Sequence, residues 1–191
     1  MLPAESATLP KVVVPQLLDL AQEPELTQPA DEPATPDTDS DSSTDSELAA
    51  EQPTGTLSEM VAELRSPDAG SHELECLATG IYFESKGEPL AGQLAVGQVI
   101  ANRAESGHRF PPSYCGVLFQ RGQFSFVRGH KLPHVSHSNR QWQTAVAIAK
   151  IVDQDLKESP VGNALFFHAR YVSPGWRLKR VATIGNHIFY R

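Results

Sequence analysis

The stretch Leu74-Glu75-Cys76-Leu77-Ala78-Thr79-Gly80-Ile81-Tyr82-Phe83-Glu84-Ser85-Lys86-Gly87-Glu88-Pro89 decides how this chain is read. Leu74, Leu77, Ala78, Ile81 and Tyr82 recur at i, i+3, i+4, i+7 and i+8, which is one face of an amphipathic helix. Ser71 can cap its start, and Glu73 and Glu75 suit the positive end of the helix dipole. Gly87 and Pro89 interrupt it. Pro89 then suits the first turn of a second helix, running through Gln93-Leu94-Ala95-Val96-Gly97-Gln98-Val99-Ile100-Ala101-Asn102-Arg103. Its apolar residues cover most of the circumference, so it should be the buried central helix. Gly92 and Gly97 cost helix propensity, and close helix–helix approach would account for them.

Beyond this pair, Gly107–Asn139 is rich in loop signals (Pro111-Pro112, Arg121-Gly122-Gln123, Arg128-Gly129). A third helix is expected over Asn139–Asp155 with Trp142, Ala145, Val146, Ala149 and Val152 inward. Ala164–Val172 and Val181–Arg191 are rich in β-branched and aromatic residues around Pro174-Gly175, which reads as a short antiparallel hairpin. Helices first and a small sheet last predict an α+β domain over residues 71–191.

Residues 1–70 differ in kind. They hold 15 of the 23 acidic residues and two of the 16 bases, a net of −13, and nine of the 15 prolines. Asp37–Ser46 is a low-complexity acidic tract. Such a segment buries too little apolar area to offset the roughly 1–2 kcal/mol of backbone entropy lost per ordered residue. It is expected to be a disordered arm, with Lys11–Leu20 a small apolar island within it. Residues 71–191 carry the other bases, a net of +6, all seven histidines and both cysteines.

Composition excludes several classes. No apolar run approaches the roughly 20 residues that span a bilayer. No run of bases interleaved with aromatics marks a nucleic-acid surface. Met1–Glu5 shows neither the basic nor the apolar region of a secretory signal, so location must be inferred otherwise. Cys76 and Cys115 are either two buried thiols or a bridge tying the loop back to the first helix. The bridge, worth roughly 3–4 kcal/mol by loop entropy, is favoured and implies an oxidising compartment. His130, His134 and His137 tempt a zinc reading, but their spacing fits no helical ligand pair, and neither metal nor cofactor is expected.

Eight carboxylates lie in the domain. Glu73 and Glu75 look like helix-start residues, and Glu105, Asp153, Asp155 and Glu158 sit in polar helix ends. Glu84 differs: Ile81 and Leu77 lie one and two turns back, placing it on the flank of the apolar face at a helix end. A partly desolvated carboxyl there has its pKa raised, as a general acid near neutrality requires; a surface glutamate is the commoner case. Glu88 could share its face only if the helix continued, so a two-carboxylate glycosidase is disfavoured. Glu88 is expected to cap the second helix.

Ile81–Pro89 and Gly92–Arg103 resemble the opening of the SleB-type cell wall hydrolases, the spore cortex-lytic enzyme family. Cys115-Gly116-Val117, Gly122-Gln123-Phe124-Ser125, Ala164-Leu165-Phe166-Phe167-His168 and Ile184-Gly185-Asn186-His187-Ile188-Phe189 resemble its later blocks, in order. Ser85-Lys86 stands where members often have Ala-Arg, and the acidic arm stands where the cortex-lytic enzymes carry a peptidoglycan-binding domain. The resemblance implies a lysozyme-like fold and cleavage of the β-1,4 bond between N-acetylmuramic acid and N-acetylglucosamine. It makes Glu84 the catalytic acid, in a lytic transglycosylase that forms a 1,6-anhydro ring.

Gln123 and Ser125, in a glycine-preceded loop, are candidate readers of sugar amides and hydroxyls. Phe124 could pack under that loop or offer a stacking face. Tyr171 and Trp176 are further stacking candidates. For His168 and for Asn186-His187 in the expected hairpin, a satisfied structural histidine is the usual case, and the matching blocks raise the odds that they line the cleft. Glu88 and Asn102 are expected to be structural. The partner implied is the peptidoglycan glycan strand, met by a monomer in the cell envelope. The alternatives are a muramidase-type hydrolase, a non-catalytic peptidoglycan-binding or scaffold protein, and a metal-dependent amidase.

Overall fold

The computed structural model describes residues 54–129 and 131–191. The expected acidic arm up to Pro53, the Lys11–Leu20 island and His130 lie outside the described residues. Folded structure begins before the charge boundary, however. Helix α1 (Leu57–Leu64) opens on a reciprocal cap, Thr56 Oγ1 accepting from the Glu59 amide while Glu59 accepts from the Thr56 amide. Met60 and Val61 are buried, as is Ala69. Residues 54–70 therefore belong to the packed domain rather than to the arm, a correction of the expected boundary.

Helix α2 (His72–Ser85) starts at Ser71, whose side chain accepts from the Leu74 amide, and ends before Gly87 as the sequence pattern requires. Helix α3 (Leu90–Glu105) follows Pro89 and is buried along most of its length. A 3-10 turn (Gly107–Arg109) and a short helix α4 (Tyr114–Phe119), capped by Ser113, interrupt the stretch read as loop. Helix α5 (Arg140–Asp153) is capped by Asn139, and its five expected inward residues are all buried. Trp142 donates its indole N–H to Pro67 O at 3.0 Å, so burial of the large ring leaves no polar group unpaired.

The apolar faces of α2, α3, α4 and α5 meet in one core containing Leu77, Ile81, Leu94, Ile100, Leu118 and Ile148. Each such side chain contributes roughly 1.5–3 kcal/mol by leaving water. At Gly97 a Cβ would sit 2.9 Å from Ile81 Cδ1 and 3.2 Å from Val152 Cγ2, so the absent side chain lets α3 close on α2 and α5. Gly92 instead faces Glu88 and Ile184, so helix–helix approach does not explain it. Cys76 on α2 and Cys115 on α4 form the disulfide, with Cα atoms 5.1 Å apart.

The C-terminal part is a three-stranded antiparallel sheet of β1 (Phe166–Ala169), β2 (Arg180–Ile184) and β3 (His187–Tyr190) in the order β1-β3-β2. The α+β class therefore holds, but the segment read as a second strand is itself a hairpin. Its tight turn is Gly185-Asn186. Pro174-Gly175 lies in the longer connection between the two outer strands, which do not pair with each other.

Candidate active site

A cleft of about 630 Å³ opens between the end of α2, the Gly122–Phe126 loop and the sheet. Each wall has a local cause. On the helical side, Phe83 stacks on Phe126 with centroids 4.8 Å apart, closing the loop onto the end of α2 beside Glu84. On the sheet side, Asn102 Nδ2 donates to Gly162 O (2.7 Å) and Ala164 O (2.9 Å), fixing the chain as it enters β1.

Glu88 is structural in a different way from the one expected. It does not cap α3, whose N-cap Pro89 has no side-chain cap bond. Its carboxylate instead accepts from the Asn186 amide (3.0 Å) and from Asn186 Nδ2 (2.9 Å), clasping the β2–β3 turn to the start of the central helix. Gly185 has a left-handed φ of 55°, and a Cβ there would collide with that carboxylate.

Glu84 lines the cleft, half-buried beside Phe83, and is the one carboxylate among the lining residues. Among the described residues no hydrogen bond or ion pair reaches its carboxyl group. Burial pushes its pKa above the ordinary glutamate value of 4.5, and the nearby Arg103 guanidinium pulls partly back. The result is a carboxyl group that keeps its proton at higher pH than a solvated one, as a general acid needs.

Arg103, which sequence reasoning did not single out, is buried at the far end of α3 and also lines the cleft. Its Nε donates to Leu165 O at 2.8 Å. The rings of Phe110, Phe124 and Phe166 surround its guanidinium at 5.1, 5.9 and 6.0 Å. Burial pulls its pKa down to about 10, with Glu84 opposing the shift. It remains a cation at neutral pH, placed to favour the charged form of Glu84.

Of the residues expected to bind substrate, the cleft brings together Gln123, Phe124, Ser125, His168, Tyr171 and His187. Gln123 and Ser125 are exposed in its loop wall. Phe124 is buried, so it packs under the loop as well as facing the cleft. His168 is held by Ala169 O and the Tyr190 hydroxyl, each at 2.9 Å. His187 is buried with Nδ1 unpartnered among the described residues. Burial lowers its pKa, Glu88 opposing and His168 reinforcing, so its imidazole is neutral near pH 7. Asn186 is not in the cleft; its amide is taken by Glu88. Phe83, Phe126, Phe166, Phe167 and Trp176 complete the aromatic walls.

The described histidine-rich loop residues form no ligand cluster. Among the described residues, the one group of three metal-ligand types is His72 with Cys76 and Cys115, and both cysteines are committed to the disulfide. No helix among them is long and apolar enough to cross a membrane.

The architecture is thus a helical domain flanked by a small sheet, with an aromatic cleft that holds one protonable carboxylate. The chain belongs to the cell wall hydrolase family, which matches residues 87–190, just over half of it. The match begins three residues after Glu84. Spore cortex-lytic enzymes of Bacillus cereus and Oceanobacillus iheyensis are 31% and 33% identical over 123 and 121 residues, 62% of this chain in each case. The chain spans 44% and 41% of those two relatives' lengths. Among solved structures, the catalytic domain of the germination-specific lytic transglycosylase SleB from Bacillus anthracis is similar at 30% identity and a TM-score of 0.52. The similarity covers 66% of this chain and all of that one. The catalytic domain of Bacillus cereus SleB gives 30% identity and a TM-score of 0.51, covering 62% of this chain and 89% of that one.

Proposed function

We propose that the domain cleaves the glycan backbone of peptidoglycan between N-acetylmuramic acid and N-acetylglucosamine as a lytic transglycosylase, with Glu84 as its one acid and base. The observation that carries this reading is a partly desolvated carboxyl group, the one carboxylate among the lining residues of an aromatic cleft of about 630 Å³. The similarity to the SleB catalytic domain supports it.

In the first step neutral Glu84 protonates the glycosidic oxygen as the bond to the muramyl C1 breaks and positive charge develops on the sugar ring. Arg103 favours the carboxylate that results. That carboxylate then accepts the proton of the muramyl C6 hydroxyl as O6 bonds to C1, closing a 1,6-anhydro ring and restoring neutral Glu84. No water is consumed and no second carboxylate is required, in keeping with the lining residues. A hydrolase would need another group to position water. The disulfide supports a setting outside the reducing cytosol, in line with a substrate in the cell envelope.

The test is digestion of purified peptidoglycan by the wild type and by Glu84→Gln. Glutamine keeps the shape but cannot supply the proton, so product release should fall by two or more orders of magnitude. An unchanged digest removes Glu84 from the mechanism. Wild-type products should carry anhydro-muramic ends, one water lighter than reducing ends. Reducing ends alone would instead establish the hydrolase.

A further inference from the structure

The segment joining β1 to β2 combines two properties that the catalytic reading leaves unused. The large hydrophobic residues exposed among the described residues all fall within it or at its border: Tyr171 (91%), Trp176 (43%), Val172 (43%) and Val181 (39%). Arg170, Arg177, Lys179 and Arg180 are exposed there too, and no acidic residue occurs anywhere from Ser159 to Arg191. Among the described residues the one ion pair is His72–Glu75, so none of these four cations has a carboxylate partner. Unpaired cations crowded onto one segment repel one another unless an anion joins them.

The aromatic residues indicate which anion. Trp176 is not a loose side chain. It meets the edges of Phe166, His168 and Tyr190 at centroid distances of 5.9, 5.5 and 5.9 Å, with interplanar angles of 64°, 81° and 83°. Those three rings belong to the sheet, so the indole is seated on it, and with Tyr171 it also lines the cleft. A seated aromatic at the mouth of the cleft, with cations that lack a carboxylate partner on both sides in sequence, suits a polymer whose sugar rings carry anionic branches. A lipid surface would favour aromatics free to insert between headgroups.

We propose that the Arg170–Arg180 segment is an accessory subsite that takes the peptide stems of the glycan strand by their carboxylates, making the domain selective for stem-bearing over stem-free strands. This rests on the reading of the cleft as a peptidoglycan site. Trp176 and Tyr171 offer faces to the sugar that bears the stem, and the cations meet the stem's α- and side-chain carboxylates. Contacts of this kind act chiefly on capture of the strand, and salt screens them.

The experiment uses full-length Glu84→Gln protein and glycan strands of matched length, with stems intact or removed by an amidase. Binding is measured, so the outcome does not depend on turnover. Stem-bearing strands should bind about tenfold more tightly at low ionic strength, and the ratio should shrink towards one at about 0.5 M salt. R170S/R177S/K179S/R180S should abolish the preference, whereas R170K/R177K/R180K should keep it. Single Arg177→Glu is the second variant if the fourfold change affects folding, which circular dichroism reads. Equal binding of the two strands, or a preference that survives the fourfold neutralisation, overturns the proposal and leaves the cleavage reading intact. So does binding to anionic phospholipid vesicles that these substitutions weaken while the strand preference stays unchanged. Loss of cleavage in wild-type protein with the preference intact would overturn the cleavage reading alone.

Discussion

Reducing the Cys76–Cys115 bond gives the sharpest quantitative test of how this domain is held together. The bond closes a loop of 39 residues that contains all of α3 and the start of α4. In the chain-entropy account, freeing a loop of that length costs about 4 kcal/mol at 25 °C. The native state should give little back, because Cys76 and Cys115 are both buried and the Cys115 amide donates to Glu73 at 3.1 Å, a bond that does not involve the sulfurs. With an unfolding entropy of about 2.1 cal/mol/K per residue over a domain of roughly 140 residues, that loss lowers Tm by about 13 °C. In urea, with a slope of about 2 kcal/mol/M, the midpoint should fall by about 2 M. The assay is urea unfolding followed by tryptophan fluorescence, with and without reductant, beside Cys76→Ala/Cys115→Ala. The double variant should match the reduced protein within about 1 kcal/mol. A midpoint shift under about 0.5 M on reduction, with the bond shown open by thiol titration, would refute the entropic reasoning. It would mean that the unfolded chain already keeps α2 and α4 together.

Replacing Arg103 with Met removes the cation that holds the Glu84 pKa down, so the alkaline limb of the pH–rate profile should move to higher pH. Arg103→Lys should move it less; profiles that superimpose would show that the guanidinium does not reach the carboxyl. Glu84→Gln should also stabilise the fold at neutral pH. The folded-state pKa of Glu84 lies above its unfolded value of 4.5, so wild-type stability is full below that value and declines as pH rises through the folded pKa. The advantage of the Gln variant should therefore vanish in acid, as denaturation midpoints across pH would show. Glu88→Ala strips Asn186 of both acceptors and should cost about 1–3 kcal/mol in urea unfolding. It should also raise KM through movement of His187, and an unchanged midpoint would count against the clasp.

What could be read without coordinates follows the strength of local patterning. The helices α2, α3 and α5 announce themselves by apolar periodicity and by Ser71, Pro89 and Asn139 at their starts. Tertiary packing had only to agree. The disulfide pairing was legible because two cysteines admit one intrachain bridge. Helix α1 was hidden by its company: Glu59 and Glu63 look like more of the acidic arm, although Thr56 and Glu59 spell a capping box. Helix α4 has six residues between loop signals, too few for a periodic pattern. The hairpin was placed at Pro174-Gly175, the stronger turn dipeptide, whereas Gly185-Asn186, two residues between apolar runs, was the informative signal. In the site, Glu84 was reachable from its helix flank and from the family resemblance. Arg103 was not, because a basic residue near a helix end usually serves the dipole and solvent. Only the arrival of the Leu165 carbonyl and three phenylalanine rings gives it a buried post. Asn186 went the other way, since its partner lies 98 positions back in the chain.

The Glu88–Asn186 clasp has a bearing on what sets the gauge of the cleft. With the Asn102 and Arg103 bonds to the chain entering β1, it joins the helical jaw to the sheet jaw, as one pivot of a calliper whose opening is the cleft. Substitutions around this pivot would alter the gauge of polymer admitted, leaving the acid at position 84 untouched. In this domain, therefore, the gap between the jaws and the acidity of the group inside it are set by different residues and can be altered one at a time.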